Sequence, residues 1–368
     1  LKQAYLVTAR WALDTVRAVD GLDPATEQRV EFSTRQLLDA VAPTNFAATN
    51  PAVMRETLRT RGGNLLRGLE RLLEDMAGSR GMLNVSMTDR DAFEVGRDLA
   101  ATPGQVVFEN QIMQLIQYTP TTETVHKTPL VIFPPWINKF YIMDLKPKNS
   151  LIKWIVDQGY TLFVVAWKNP DTSYRDVGMG DYVEKGYLTA MNEVKAITGE
   201  DQLNVVGYCI AGTTLALTLA LLEKRGDKTV KSATFFTSLT DFEDQGEVGV
   251  FLSNDFVDSI EDEVQKTGVL ESFNMSRTFS YLRSNDLIYG PAIRSYMLGE
   301  APPAFDLLFW NGDGTNLPAR MVIEYLRGLC QENRFAGDGF EILGVTLKLN
   351  VVKVAMFAIA CERGHMAA

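Results

Sequence analysis

The chain has 368 residues, 46% of them apolar, and a formal net charge of −10. Its acidic balance argues against a nucleic-acid partner, which selects a basic surface, and no apolar run reaches the roughly 18 residues that span a bilayer. The cysteines Cys209, Cys330 and Cys361 are too few and too scattered for a disulfide framework or a zinc site. With no secretory signal pattern at the start, we expect a protein of the reducing cytoplasm.

The two ends predict a piece of a longer protein. The chain begins with Leu1 rather than methionine and stops at Ala368, directly after a strand-like run. Its length predicts one large or two modest domains. We expect a helical N-terminal region at 1–95 and a second domain at 96–368 that is truncated at its carboxyl end.

Residues 1 to about 90 predict helices. Asp23-Pro24 and Asn50-Pro51 each place a capping residue before a proline at a first helical position. Apolar side chains recur at helical spacing, and they are Phe32, Leu37, Leu38, Val41, Leu65, Leu66, Leu69, Leu72, Leu73 and Met76. Such apolar faces indicate helices that pack on a neighbour.

From residue 105 the pattern changes to strands. Short strands are predicted at 105–109 and 113–118, with a turn at Asn110. Near-continuous apolar runs follow at 130–133, 161–167, 203–206, 233–236 and 351–360, with helical stretches at 151–158 and 182–197. Runs of this kind mark parallel strands that are covered on both faces. The alternation predicts an α/β fold with a mostly parallel sheet and right-handed crossovers.

Between Thr237 and Val351 the alternation lapses, and the segment from 246 to about 318 is rich in aromatic and acidic residues. We interpret it as a cap subdomain inserted over the sheet, since caps exclude water from a site and shape its pocket. An additional helical layer would give the same pattern.

The most informative motif is the run Gly207-Tyr208-Cys209-Ile210-Ala211-Gly212, which joins an apolar strand to an apolar helix. The nucleophile elbow of α/β-hydrolases requires this strand–turn–helix context. The tight turn also needs small flanking residues, and Gly207, Ala211 and Gly212 meet that demand. Cys209 is therefore the predicted nucleophile of an α/β-hydrolase core, and a buried small residue is the alternative.

A sulfur nucleophile favours acyl donors that are thioesters, because exchange of one thioester for another is nearly neutral in free energy. Cysteine is more nucleophilic than serine at neutral pH, although it still needs a base or a lowered pKa. The positive end of the helix that follows Cys209 favours the thiolate.

Two backbone donors are predicted for an oxyanion hole. One is the N–H of Ile210, which follows the nucleophile, and the other comes from the loop after an earlier strand. That loop is 134–139, where Ile137 or Asn138 can donate and the prolines cannot. A rigid surface turn is the alternative for this loop.

The acid and the base have poorer candidates. In this fold the acid and then the histidine follow the nucleophile, whereas His126 precedes it. The remaining candidates are His365, Asp241 and Glu362, and either carboxylate could equally be a solvated loop residue.

We predict no metal site and no bound cofactor. Residues 311–316 resemble a calcium loop, but Val322 stands at its twelfth position, so a tight turn is favoured. The sequence contains no Walker loop and no dinucleotide fingerprint.

Several strings in the right order resemble the poly(3-hydroxyalkanoate) synthases, and most of all their class I members. The resemblance runs from about Asn45 to the end. The strings are Asn50-Pro51, Phe93-Glu94-Val95-Gly96-Arg97, Gln117-Tyr118-Thr119-Pro120-Thr121-Thr122, residues 134–145, Trp167-Lys168-Asn169-Pro170-Asp171, the elbow, Leu239-Thr240-Asp241-Phe242 and residues 309–318.

The resemblance implies a cytoplasmic acyltransferase that polymerises (R)-3-hydroxyacyl groups from CoA thioesters, as in polyhydroxybutyrate (PHB) biosynthesis. Cys209 would attack the thioester, release CoA as a leaving group and hold the acyl group. A 3-hydroxyl deprotonated by histidine would then attack the Cys209 ester carbon. The family also implies a homodimer at the surface of polyhydroxyalkanoate granules, with the N-terminal helices and the cap aiding dimerisation, granule association and substrate access.

The chain departs from the family pattern at two places. Ala211 replaces a glycine of the family's elbow, and we expect one methyl group to be tolerated there. Gly364 replaces the aspartate that is the family's catalytic acid, and the family's catalytic histidine lies beyond Ala368. We therefore expect the piece alone to be inactive or nearly so, because the loss of triad members costs several orders of magnitude in rate. The altered end could be natural or an artefact.

Two other functions stay open. A cysteine-dependent α/β-hydrolase, either a thioesterase or an esterase, would release a small acid, and the aromatic cap speaks against it. A non-catalytic granule-associated homologue is favoured by Gly364 and disfavoured by the intact elbow.

Overall fold

The computed structural model describes residues 1–78 and 83–361. Its helices are α1 (Lys2–Arg17), α2 (Pro24–Ala40), α3 (Pro51–Thr60), α4 (Gly63–Gly78), α5 (Leu151–Asp157), α6 (Met179–Asp181), α7 (Thr189–Thr198), α8 (Ile210–Arg225), α9 (Asn254–Thr267), α10 (Ser272–Leu282), α11 (Gly290–Ala292), α12 (Asp306–Gly312) and α13 (Ala319–Ile323). Wider π-helical turns occupy Tyr182–Leu188, Asn285–Tyr289, Ile293–Met297 and Glu324–Gln331.

The strands are β1 (Gly104–Glu109), β2 (Met113–Tyr118), β3 (Leu130–Phe133), β4 (Leu162–Trp167), β5 (Leu203–Tyr208), β6 (Val230–Phe236), β7 (Val269–Leu270), β8 (Leu317–Pro318), β9 (Phe340–Ile342), β10 (Val345–Leu347) and β11 (Ala355–Ile359). Seven of them form one sheet in the order β1-β2-β4-β3-β5-β6-β11. The pairs β1–β2 and β2–β4 are antiparallel, and β4, β3, β5, β6 and β11 run parallel to one another. The predicted mostly parallel sheet is confirmed.

The sheet places the carboxyl ends of β3, β4, β5 and β6 at one edge, where ligands bind in open α/β sheets. The helix α8 leaves that edge after β5, and its residues 210–222 are buried. A helix that is apolar on all sides belongs in the interior. The topology and the buried helix after β5 are those of the predicted α/β-hydrolase core.

The contact pattern divides the chain into two units. The first comprises 1–92 with 276–309, and the second, the sheet unit, comprises 93–275 with 310–368. Residues 246–275 and 310–318 thus cluster with the sheet, whereas 276–309 cluster with the N-terminal helices. The predicted domain and cap boundaries stay a prediction.

The last strand of the sheet differs from its prediction in two respects. The apolar run at 351–360 forms a strand only from Ala355, because Leu349–Val351 makes a 3₁₀ turn. The expected cover on both faces is also absent within the described ranges, since every residue of β11 is exposed and Phe357 is 62% exposed. The strand pairs with β6 along one side only. The apolar run therefore predicted a strand of the sheet correctly, but it did not predict whether other elements cover the two faces of that strand.

The predicted helix starts in the first unit are confirmed. The side chain of Asp23 accepts a hydrogen bond from the Thr26 N–H at the start of α2, and that of Asn50 accepts from the Ala52 and Val53 N–H groups at the start of α3. Residues 83–92 contain no helix, so the predicted helical region to about residue 90 extends too far.

The predicted apolar faces in the first unit are buried only in part, since Phe32 on α2 is buried but several of the predicted leucines are exposed. Leu37 is 65% exposed and Leu66 is 67% exposed. Instead α4 packs through small and polar residues: the Asn64 amide donates to the Met297 carbonyl at 2.6 Å, and Gly68 faces the backbone of Tyr296. Hydrophobic spacing alone does not find this kind of backbone-to-backbone contact.

Among the helices of the two described ranges, none combines the length and the apolarity that a membrane span demands.

Replacement of Gly68 by alanine tests the close packing of α4. A Cβ at Gly68 would lie 1.8 Å from the Tyr296 carbonyl oxygen, whereas one at Gly78 would meet no atom within 4 Å. Gly68→Ala is expected to lower the free energy of unfolding by about 1–3 kcal/mol. The control Gly78→Ala leaves it unchanged or raises it, because glycine costs a helix ~0.5–1 kcal/mol relative to alanine. Equal unfolding curves for the two variants would contradict the packing.

Replacement of two buried threonines of the sheet unit is expected to change stability in different ways. Thr214 Oγ1 accepts a hydrogen bond from the buried Trp136 Nε1–H at 3.1 Å, whereas the Thr315 hydroxyl is fully buried and has no hydrogen-bond partner among the described residues. Thr214→Val is expected to lower the free energy of unfolding by about 1–3 kcal/mol, because an indole donor is orphaned. Thr315→Val removes an unsatisfied group, so stability is unchanged or rises. Denaturant unfolding measures both, and a larger loss at Thr315 would contradict the assignment.

Candidate active site

Cys209 occupies a sharp turn between β5 and α8. Its backbone has φ 54° and ψ −129°, a conformation that costs a residue with a side chain about 1–3 kcal/mol. The Cys209 N–H donates to the Phe236 carbonyl at 2.8 Å, and its own carbonyl accepts from the Gly212 N–H at 2.8 Å. The geometry is that of the nucleophile elbow expected from the sequence.

The two glycines close to Cys209, Gly207 and Gly212, have no room for side chains. A Cβ at Gly207 would lie 2.6 Å from the Gly212 Cα, and a Cβ at Gly212 would lie 1.9 Å from the Ser238 Oγ. The methyl group of Ala211 is buried, and the Ala211 carbonyl accepts a hydrogen bond from the Tyr187 hydroxyl at 2.8 Å. The strand, the turn and the helix therefore interlock, and this packing holds the strained cysteine.

The Cys209 thiol is partly exposed and partly desolvated. Desolvation raises its pKa above the ordinary value, and a hydrogen bond from the Ile210 N–H acts in the opposite direction without cancelling it. The expected preference for the thiolate at a helix start is thus outweighed by burial. Cys330 is more deeply buried, with its pKa raised by desolvation to about 12, and Cys361 is exposed.

The loop after β3 brings its residues to the same edge of the sheet. Trp136 and Ile137 are buried. The Ile137 carbonyl accepts from the Thr315 N–H at 3.0 Å, and the Asn138 N–H donates to the Pro135 carbonyl at 3.4 Å. Among the described residues the Ile137 N–H has no assigned acceptor, so Ile137 is the better of the two predicted donors.

Tyr325, in the π-helical turn after α13, is a site residue that the sequence reasoning missed. Its ring makes an edge contact with the Trp136 ring at 5.5 Å and with the Phe242 ring at 6.1 Å. Desolvation raises the pKa of its phenol well above the usual value, with smaller contributions from Cys330 and Cys209. No local pattern identifies Tyr325, because it reaches the site only through the fold.

The acid and base candidates are not assembled around Cys209 by the described residues. Asp241 lies on an exposed loop after β6, where its carboxylate accepts from the Asn333 amide at 2.7 Å. His126 precedes β3, and its ring lies 4.7 Å from that of Tyr160, just before β4, at the amino edge of the sheet. Glu362, Gly364 and His365 lie outside the described residues.

The described ranges hold no group of three or more metal-ligating side chains. In the segment that resembles a calcium loop, the Asp313 carboxylate accepts from the Tyr141 hydroxyl at 2.7 Å, and Asn316 Oδ1 accepts from the Ser272 N–H at 2.9 Å. These side chains serve hydrogen bonds within the protein.

Comparisons with known proteins agree with the motifs. A family model described as the N-terminus of poly-beta-hydroxybutyrate polymerase (PhaC) matches residues 1–155. The chain is 46% identical to a poly(3-hydroxyalkanoate) polymerase of Methylorubrum extorquens, over 100% of this chain and 61% of that protein. It is 42% identical to the poly(3-hydroxyalkanoate) polymerase subunit PhaC of Rhizobium meliloti (strain 1021), over 100% of this chain and 60% of that protein.

The chain thus spans about three fifths of the length of these curated relatives. The family model matches from residue 1, so the predicted start of the resemblance near Asn45 is too late. The chain also matches a solved carboxylesterase structure of Nitrososphaera gargenis, with 11% identity and a TM-score of 0.36. The match covers 70% of this chain and 79% of the carboxylesterase chain. That score is too low to add to the argument from the sheet topology. The match of the whole chain to these polymerases shows that it belongs to the poly(3-hydroxyalkanoate) polymerase family.

Proposed function

We propose that the protein is a polyester synthase that transfers (R)-3-hydroxyacyl groups from CoA thioesters to a growing polyhydroxyalkanoate chain through a thioester on Cys209. The observation that carries the proposal is a partly exposed cysteine in a positive-φ elbow, in a chain whose relatives are named as poly(3-hydroxyalkanoate) polymerases. The cytoplasmic granule surface as location, the homodimer, and CoA as a leaving group rather than a cofactor belong to this proposal and rest on the family resemblance.

The first step is thioester exchange. The Cys209 sulfur attacks the acyl carbon of the CoA thioester, the carbon–sulfur bond to CoA breaks, and the CoA thiolate takes up the proton that Cys209 lost. One thioester replaces another, so the free energy changes little. The second step forms an ester, because the 3-hydroxyl oxygen of another unit attacks the same carbon and returns the thiol to Cys209.

Both steps pass through a tetrahedral oxyanion. The Ile210 N–H already points to the Cys209 sulfur, and the Ile137 N–H comes from the buried loop after β3. Two preorganised backbone donors of this kind typically supply the largest single part of the rate enhancement in acyl transfer.

The mechanism needs a general base. Burial raises the pKa of the Cys209 thiol, so at neutral pH the free group is mainly the weakly nucleophilic thiol. The only histidine in the described ranges, His126, lies at the opposite edge of the sheet. The proposal therefore takes its base from outside the described residues.

Substitution of the nucleophile tests the function. In the intact protein, Cys209→Ala is expected to abolish both CoA release and polymer formation from (R)-3-hydroxybutyryl-CoA, by at least about 10³-fold. Cys361→Ala is the matched control, since this exposed thiol has no role in the steps above. Polymer formation by the Cys209→Ala protein would refute the assignment, and release of free hydroxybutyrate without polymer by the unmodified protein would identify a hydrolase instead.

The pH dependence of alkylation tests the state of the thiol. Iodoacetamide reacts with the thiolate, so a raised pKa slows the reaction at neutral pH and moves its rise to higher pH. In the 368-residue chain carrying Cys361→Ser, the alkylation rate of Cys209 is expected to rise with an apparent pKa above that of a cysteine peptide measured alongside. Peptide mass spectrometry separates Cys209 from the buried Cys330. An apparent pKa below that of the peptide would contradict the predominance of desolvation.

A further inference from the structure

Two segments of the sheet unit lie against each other near the nucleophile. We call residues 134–141 the front loop and residues 310–316 the strap. The Thr315 N–H donates to the Ile137 carbonyl at 3.0 Å, and Asn138 and Gly314 form an isolated antiparallel bridge. The strap is thus hydrogen-bonded to the residue that carries the proposed second oxyanion donor.

Two side chains strengthen this pairing. The Trp310 Nε1–H donates to the Lys139 carbonyl at 2.8 Å. The Tyr141 hydroxyl donates to the Asp313 carboxylate at 2.7 Å, and Tyr141 is only 2% exposed. Desolvation and then Asp313 raise the pKa of the Tyr141 phenol, which keeps its proton on the donor. A hydrogen bond to an ionised acceptor is roughly twice as strong as a neutral one.

The strap is itself anchored to the loop that follows β4. The Asn316 N–H donates to Asn169 Oδ1 at 2.8 Å, and the Asn316 amide donates to the Pro170 carbonyl at 3.2 Å. Both partners follow β4, the neighbour of β3 in the sheet. Gly314 has no room for a side chain, because a Cβ there would lie 2.9 Å from the Ser272 Cβ.

The front loop is tied to the nucleophile helix at its other end. The Trp136 indole donates to Thr214 on α8, the helix that begins directly after Cys209. Ile137 therefore lies between a bond to the nucleophile helix and a bond to the strap. This arrangement fixes the peptide on each side of Ile137.

We propose that the strap is a positioning element for the oxyanion hole, in which Asp313, acting through Tyr141, holds the Ile137 N–H at the height of the oxyanion formed on Cys209. The proposal rests on the proposed function above. Asp313 is a positioning residue and touches neither the substrate nor the sulfur. A donor that moves by a fraction of an ångström stabilises the transition state less, while the substrate still binds.

The test compares two reactions of the same sulfur in the intact protein. Acylation by (R)-3-hydroxybutyryl-CoA, followed as single-turnover CoA release, uses the oxyanion hole, whereas alkylation by iodoacetamide forms no oxyanion. Tyr141→Phe and Asp313→Leu are each expected to lower the acylation rate about tenfold to a hundredfold, with a KM change below about threefold and no change in alkylation. Asp313→Asn, whose amide oxygen still accepts from Tyr141, retains most of the rate.

Two further variants complete the design. Trp310→Phe removes an independent bond to the front loop and is expected to slow acylation as well, and Tyr118→Phe on β2 is the control for loss of a buried tyrosine hydroxyl. If acylation and alkylation fall together, the variants have suffered general structural damage and the proposal is overturned. An unchanged acylation rate in Tyr141→Phe and Asp313→Leu would also overturn it. The proposed function is tested separately with Cys209→Ala. It fails if this variant is still acylated as the unmodified protein is.

Discussion

The geometry of the candidate site follows from the left-handed backbone of Cys209. The backbone of a residue with a side chain is strained at φ 54°. The turn keeps this conformation because its packing against β5 and α8 prevents it from relaxing. A Cβ on Gly207 would lie 2.6 Å from the Gly212 Cα, and one on Gly212 would lie 1.9 Å from the Ser238 Oγ. The backbone hydrogen bond from Cys209 to Phe236 fixes the turn to β6. This interlock places the sulfur at the carboxyl end of β5, where the Ile210 N–H at the start of α8 donates a hydrogen bond to it.

The same placement sets the chemistry of the thiol. A sulfur held close to protein atoms loses hydration, which raises its pKa, and the single N–H of Ile210 does not compensate. The elbow therefore presents a thiol, the proposed nucleophile, that is mostly protonated at neutral pH. Reactivity then depends on a base and on oxyanion donors, so the precision of the front loop matters more than it would for a ready thiolate. In the proposal above, the strap supplies that precision through its bonds to Ile137, Lys139 and Tyr141. The bond from Trp136 to Thr214 ties the front loop to α8.

The parts of the structure that sequence alone could predict are those encoded locally. Apolar runs gave the parallel strands, Asp23 and Asn50 marked helix starts, and the small residues around Cys209 marked the elbow, because each of these depends on neighbours in the chain. The packing of α4 through Gly68, the ring contacts of Tyr325 and the pairing of the strap with the front loop could not be predicted in this way. Each arises from residues far apart in sequence, and a short string such as 311–316 gives no sign of which loop it binds.

Identification of the covalent intermediate tests the proposed role of Cys209 without relying on any substitution. The intact protein is mixed with (R)-3-hydroxybutyryl-CoA, quenched in acid within the first turnover and digested for peptide mass spectrometry. The account predicts hydroxybutyryl groups on the peptide that contains Cys209, removable by neutral hydroxylamine as a thioester is. Acyl groups found only on another residue, or CoA release with Cys209 unmodified throughout, would contradict it.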